Sequence, residues 1–427
     1  MVNMDSSERL SQEPEIRFPL DLPNVKILKM ETNKAGEYII TVESTLTSTH
    51  CRECGREIAE FHGYGHWISL RDLPILDHRV WIRYRPKRYR CPDCDDHPTT
   101  THQVSWHERN SPHTRRYDDY LMRCLINSTI MDVSRKQDVG YDAVEGALTR
   151  RIQAEVDWQD IDMIGTLGMD EIALRKGKRD FVLVVTARHA ERVRVLAVLP
   201  NRKKATARQF LEDIPPHLYG TIEAVCSDMW EGYINAAKDF RQAHTLPFDI
   251  VVDRFHVAQS YRKAVDTLRK QERKRLKKEL TYDQYEAIKG VMWATRKNNA
   301  DLNDEQRQQL RRFFDYSPLF KQAYTLREEL SAIFDLPLSH EQAQHRLDCW
   351  QAKVQQSELT CFASFLTTLE NWREEIVNYF KKRFNSGFVE GLNNKIKTIK
   401  RRCYGLTDVR RVFQRVFLDL EGFRLFA

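Results

Sequence analysis

Three acidic residues stand where metal-dependent chemistry on phosphate esters could be built: Asp170 in GMDEIAL, Asp228 in AVCSDMWEGY and Glu390 in FNSGFVEGLNNKIK. Asp170 and Asp228 sit at the ends of apolar runs with strand character, and Glu390 opens a basic helical stretch. Carboxylates gathered in one pocket repel, and each raises the pKa of the others. A divalent cation makes such a cluster tolerable, and hard oxygen ligands select Mg²⁺ or Mn²⁺. Two such ions together activate water and stabilise a leaving oxygen in phosphodiester chemistry. Successive strand residues point to opposite faces, so only one of Asp170 and Glu171 can enter the pocket. Asp253 and His256, in VVDRFHVAQ, follow another strand. They either line the pocket behind the metal ligands or cap the next helix.

Cys51, Cys54, Cys91 and Cys94 form a second constellation, two CxxC pairs separated by 36 residues. A CxxC turn offers two thiolates on one side of an ion, and Zn²⁺ takes four tetrahedral ligands. The pattern predicts a zinc ribbon with one closed, structural Zn²⁺ and a middle segment that loops out. His97, His102 or His107 could replace one thiolate. In a reducing compartment, such spacing favours metal over disulfide.

These residues need elements to position them. Residues 1–24 read as a flexible tail. VKILKM, NKAG and EYIITVEST predict a β-hairpin, and VWIRYRPKRYRC one further strand, giving a zinc-binding domain over 25–110. Over 111–160 the period turns helical: RRYDDYLMRCLI, MDVSRKQDV and DAVEGALTRRIQAEV, with a turn at Gly140–Tyr141, predict a helix-turn-helix. Arg135, Lys136, Arg150 and Arg151 are its candidate DNA contacts.

From residue 161 three meandering strands are followed by alternating helices and strands. That order matches an RNase H-like fold, with a first part over 161–265. A charged helical insertion (266–378) interrupts it, and 379–427 supplies the closing helical part. The fold class is thus multi-domain α/β. On the closing helix, Glu390, Asn394, Lys397 and Arg401 share one face, a column able to hold a phosphate backbone, with Lys397 and Arg401 as its DNA contacts. In the insertion, Trp293, Trp350 and Trp372 read as core, and RKQERKRLKK (269–278) as a solvated basic face.

Composition sets the outer bounds. The 427 residues are 41% apolar and 30% charged with net charge +7, a globular rather than disordered balance. No apolar run reaches the length of a membrane helix, and the start lacks a secretory pattern, so a cytoplasmic, nucleoid-associated location without membrane contact is expected. Clustered basic residues point to a polyanionic partner.

Together these segments resemble the bacterial DDE-type insertion-sequence transposases of the ISL-three group. The resemblance spans nearly the whole chain and rests on the paired CxxC head, GMDE, SDMWEGY, VDRFH and NSGFVEGLNNKIKTIKRRCYG. It implies that Asp170, rather than Glu171, joins Asp228 and Glu390 as the catalytic triad holding two Mg²⁺ (or Mn²⁺) ions. It also implies that the zinc-binding head and helix-turn-helix recognise terminal inverted repeats. Double-stranded DNA, both element ends and target, is the expected partner, with a homodimer or larger assembly on DNA. A regulator using the nuclease-like domain only as scaffold, and a junction-resolving nuclease, are the rival functions. Metal-dependent cleavage separates the regulator from the enzymes, and a requirement for specific ends separates the transposase from the resolvase.

Overall fold

The computed structural model describes residues 19–175, 180–357, 359–384 and 387–426, with the backbone alone at Val389 and Glu390. Most of the expected tail, residues 1–18, lies outside them. The chain divides into two units. One runs to Arg151 and takes in the end of the last helix from Gly422; the other is Ile152–Glu421.

In the first unit, the expected hairpin is β1 (Val25–Thr32) and β2 (Tyr38–Ser44), paired antiparallel around the Asn33–Gly36 turn. Two short strands, β3 (Thr49–His50) and β4 (Glu57–Ile58), bracket the first CxxC, and β5 (Glu60–Tyr64) follows. The segment between the cysteine pairs does not loop out. It forms β6 (Ile68–Ile75) and β7 (His78–Tyr84), and β7 joins β2 in parallel to give a four-stranded sheet β1-β2-β7-β6. Leu70, Val80 and Ile82 are fully buried with Ile40 and Val42, which is why the segment folds inward. The single strand expected over VWIRYRPKRYRC is broken at Pro86. Proline lacks the ladder donor, and the chain restarts as β8 (Lys87–Arg90) in a second sheet with β5 and β9 (Thr99–Thr101).

Three helices complete this unit: α1 (Arg115–Leu125), α2 (Ile130–Gln137) and α3 (Tyr141–Arg151). Thr114 and Thr129 cap the first two through their side chains. The third helix stops at Arg151, five residues before the expected end. No break falls at residue 110. Buried Asp72 on β6 accepts from Thr114 Oγ1 (2.7 Å) and Arg116 Nε (2.8 Å), tying sheet to helices.

The second unit is built on a five-stranded sheet, β12-β11-β10-β13-β14. Strands β10 (Gly165–Ala173), β11 (Phe181–His189) and β12 (Arg192–Leu199) meander antiparallel, while β13 (Ile222–Ser227) and β14 (Asp249–Val252) run parallel to β10. This is the RNase H-like order expected. Gly165 is required at the start: its φ is +69°, and a Cβ there would lie 2.4 Å from the Arg188 carbonyl oxygen.

Alternation along the strands makes two cores. Leu167, Met169, Leu183 and Val185 face α4 (Lys204–Glu212) and α5 (Glu231–Ala243). Ile172, Val182, Val184 and Val195 face α15 (Gly387–Arg402) and α16 (Val409–Phe426), through Leu392, Ile396, Val412 and Val416.

Between β14 and α15 lies the helical insertion. It opens with α6 (Arg254–Glu279), followed by α7 (Tyr282–Glu286), α8 (Val291–Arg296), α9 (Asp304–Tyr316) and α10 (Pro318–Asp335). It closes with α11 (His340–Gln356), α12 (Ala363–Asn371), α13 (Arg373–Val377) and α14 (Tyr379–Lys382). The boundary expected at 265/266 falls inside α6, a single 26-residue helix, and the insertion shares one continuous core with the sheet. Trp350 is in that core, but Trp293 is exposed. In the basic run 269–278, Lys270, Lys274, Arg275, Lys277 and Lys278 are exposed, the solvated face expected, while Arg269 is buried and paired with Asp266 and Arg273 Nη2 donates to Tyr285 Oη.

Candidate active site and metal centre

Four sulfurs, from Cys51, Cys54, Cys91 and Cys94, lie within 4.8 Å of one another. The separations are 3.8 Å for Cys51–Cys94, 3.8 Å for Cys54–Cys91 and 3.6 Å for Cys91–Cys94. Sulfurs about 2.3 Å from a common ion at tetrahedral angles are about 3.8 Å apart, so the cluster has the dimensions of a Zn²⁺ site. Backbone N–H groups of Cys54 and Glu53 favour the Cys51 thiolate and bring its pKa down to about 6. The candidate histidines stand elsewhere: His97 Nδ1 meets the Cys91 carbonyl, and His107 lies between Tyr84 Oη and the Ser111 carbonyl. Buried His102 is not in the group of clustered ligands. Among the described residues, the cysteines are the one group of three or more such ligands this close.

In the second unit the parallel register brings two acids together. Met169 of β10 pairs with Ser227 of β13, so the next positions are Asp170 and Asp228. There β13 ends while β10 continues, opening a crevice at the carboxyl end of the parallel strands. Asp170 points to the face covered by α15 and Glu171 to the opposite face. Asp170 Oδ1 accepts the Glu171 N–H (2.7 Å), and Oδ2 accepts from the Asn393 amide. Asp228 Oδ1 accepts the Trp230 N–H (3.2 Å) at the start of α5. Burial raises the Asp170 pKa; for Asp228, burial first and then the charges of Asp170 and Glu171 push it up to about 6. The charge of His256 favours the ionised form of both acids.

Asp253 follows β14 as Asp228 follows β13, and its N–H donates to the Ser227 carbonyl (2.9 Å). Its carboxylate caps α6, accepting from Phe255 N–H (2.8 Å). Of the two roles open to the pair, Asp253 takes the cap.

Glu390 lies in the first turn of α15, and its side chain is outside the described residues. The helix is fixed over β10 by the Asn393–Asp170 hydrogen bond and by Lys400 Nζ donating to the Ala173 carbonyl. Asn394, Lys397 and Arg401 are exposed along α15, and the Lys397 charge reaches Asp170.

Several site residues escaped sequence reasoning. Asn393, not Asn394, is the buried one, and its Oδ1 has no hydrogen-bond partner among the described residues. A polar residue on the arc of Leu392, Ile396 and Ile399 was the available signal. Glu171 pairs with Arg202 Nη1 (2.9 Å), and that guanidinium stacks on Trp230 (4.3 Å) and Phe181 (4.8 Å). Gly232 admits the indole, because a Cβ would sit 2.7 Å from Trp230 Nε1.

The helix-turn-helix arginines divide. Arg150 donates from Nε to buried Asp118 Oδ2 (2.9 Å), and His113 Nδ1 meets Asp118 Oδ1 (2.7 Å). Burial pushes the Asp118 pKa up, but these two partners outweigh it and hold it below the ordinary range. Arg151 Nε donates to Asp119 (2.6 Å). Both arginines are committed to α1, contrary to the expectation that they face DNA. Arg135 and Lys136 are exposed.

Among the described residues, no helix is long and apolar enough to cross a membrane. Residues 167–416 match a family model described as a transposase, that of the ISL3 group of DDE enzymes. Residues 47–94 match the zinc finger of the IS204/IS1001/IS1096/IS1165 transposases. The chain is 29% identical over 375 residues to the transposase for insertion sequence element IS1001 of Bordetella parapertussis, covering 87% of this chain and 89% of that one. It is 23% identical over 400 residues to the transposase for IS1557 of Mycobacterium tuberculosis, covering 88% and 86%. With the family model matching more than half of its length, around the paired acids, and the zinc-finger model matching its cysteine head, this chain belongs to the ISL3 family of transposases.

Proposed function

We propose that the protein cuts DNA at the ends of its insertion sequence and joins them to target DNA, using Asp170, Asp228 and Glu390. The observation that carries this reading is the adjacency of Asp170 and Asp228 at the open end of neighbouring parallel strands, both raised in pKa. A purely structural site has no reason to hold two repelling, desolvated carboxylates together. The donor set is all oxygen, with Asn393 Oδ1, unpartnered among the described residues, beside it, which suits two Mg²⁺ or Mn²⁺ ions. Bound there, such ions supply Lewis acidity that activates water and stabilises the leaving oxygen.

The protein's own groups do the positioning. Asn393 orients Asp170, the α5 N-terminus orients Asp228, and α15 carries Glu390 to the same crevice with Lys397 and Arg401 available to phosphates. Hydrolysis at the element end frees a 3′-hydroxyl, which then attacks target DNA. Neither step needs a covalent enzyme intermediate. In the first unit, Arg135 and Lys136 contact the terminal inverted repeats, while Arg150 and Arg151 hold the fold. Joining two ends calls for a homodimer or larger assembly on double-stranded DNA, in the cytoplasm at the nucleoid.

The test is excision in cells of a marker flanked by the element's own ends. Wild type should excise, and Asp170→Asn, Asp228→Asn and Glu390→Gln should not. Excision by Asp170→Asn would refute the triad. Specific end binding without excision by any form would favour the regulator.

A further inference from the structure

A groove of about 820 Å³ runs along α6, beginning at Met229, one residue from Asp228. Its inner end is Met229, adjacent to Asp228, and His256, whose imidazole bears on both acids. Its outer end is Arg262 and Lys263 of α6 and Arg296 of α8, all exposed. The one carboxylate in the lining, Asp266, is already paired with Arg269 and Lys270, and Arg296 reaches it only at 3.7 Å. Arg262 donates to the neutral Asn298 side chain (3.2 Å), and Lys263 has no ion pair among the described residues. The groove is therefore cationic at its outer end and largely uncharged from Met229 to Ser260.

Phe255 lies in the wall beside His256, the ring centroids 5.4 Å apart and nearly perpendicular. It is 47% exposed, so about half of the phenyl ring is open to the groove. Helical rise of about 1.5 Å per residue places Lys263 roughly 10 Å beyond His256, about three stacked-base steps. The volume is that of a small-molecule pocket, too small for a duplex.

We propose that this groove takes a single, unpaired DNA strand next to the scissile phosphate. Its phosphates lie against Arg262, Lys263 and Arg296, and one base stacks on Phe255. Aromatic faces beside a cationic track are the recurrent means of holding unpaired strands, and a base leaves its stack more easily when its pairing is already lost. The proposal deepens the function given above and rests on it. It also gives the helical insertion a task, since Arg296 belongs to it.

The experiment uses the full-length protein and two synthetic element ends. One is fully paired; the other lacks the complementary bases opposite the nucleotides flanking the cleavage position. Phe255→Ala should cut the paired end roughly five- to a hundredfold more slowly than wild type, and the unpaired end should lose several-fold less, because the cost of opening it is already met. A merely structural role would not be rescued by unpairing. Arg262→Ala with Lys263→Ala should slow both ends and raise KM. Equal rates for Phe255→Ala and wild type on the paired end, or equal losses on both ends, would overturn the groove. Cleavage surviving in Asp170→Asn would instead overturn the triad. Without reference to turnover, a benzophenone photocrosslinker in place of Phe255 should attach to nucleotides adjoining the cleavage position, and attachment elsewhere on the end would also refute the proposal.

Discussion

The cysteine site draws on two tight turns, each giving a pair of thiols three residues apart. The carboxylate site draws on two strand ends and on a helix from the far end of the chain. The sulfurs already stand at tetrahedral spacing, with Cys51 and Cys91 buried against Ile58 and Tyr89. The carboxylates are desolvated, mutually repelling and open to a groove. A site that must hold its ion permanently can be closed. One that must admit substrate has to stay open, and it carries the electrostatic cost into the resting protein. In this chain the first kind of site is local in sequence, and the second is spread over some 220 residues, from Asp170 to Asn393 of α15.

The largest effect is expected at the closed site. Cys91→Ser should lose the bound zinc and unfold the β5–β9 region, since structural zinc contributes on the order of 10 kcal/mol in small zinc modules. Metal analysis and circular dichroism of the purified variant check this, and a folded variant with full zinc would break the comparison. The next effect separates scaffold from contact within the helix-turn-helix. Arg150→Ala leaves buried Asp118 short of a partner and should cost about 2–3 kcal/mol in thermal unfolding. Arg135→Ala should leave unfolding unchanged and reduce the salt slope of end binding by about one.

These two arginine classes show where the sequence was legible. The strand order, the ends at Asp170 and Asp228 and the cysteine pairs were readable because each rests on local alternation or fixed spacing. The commitment of Arg150 to Asp118 was not, because that partner is 32 residues away and a basic residue on a predicted recognition helix looks the same whether it faces DNA or a buried acid. Asn393 was passed over for Asn394 because the column was drawn from charge, while the burial stripe of Leu392, Ile396 and Ile399 decides which asparagine turns inward. The boundary at 265 failed because a change in composition need not end a helix, and α6 carries its backbone hydrogen bonds straight through it.

At the open site, Asn393→Leu should slow cleavage roughly tenfold by freeing Asp170 from its hydrogen bond to the Asn393 amide. Unfolding should be little altered, because the leucine continues the apolar stripe. Single-turnover cleavage beside a melting curve checks both.

The smallest effect is a pH dependence. The folded Asp228 titrates near 6, above its unfolded value of about 3.9. Between those values the folded protein binds more protons than the unfolded chain, so stability falls as pH rises through the window. Allowing for partial exposure, the loss is about 1–2 kcal/mol. It should vanish in Asp228→Asn and be offset by added Mg²⁺ above pH 6. Melting temperatures measured across pH 4–7 with the zinc retained would show it, and a rise in stability across this window would contradict the assignment of Asp228 as a strained carboxylate.

The central claim is most directly tested by Mn²⁺-dependent cleavage of a duplex carrying the element's end, with zinc content and end affinity measured on the same samples. Wild type should cut. Asp170→Asn, Asp228→Asn and Glu390→Gln should each fall by at least about a hundredfold while keeping their zinc and their affinity for the end. A variant that cuts at the wild-type rate would show that its carboxylate is not part of the reaction.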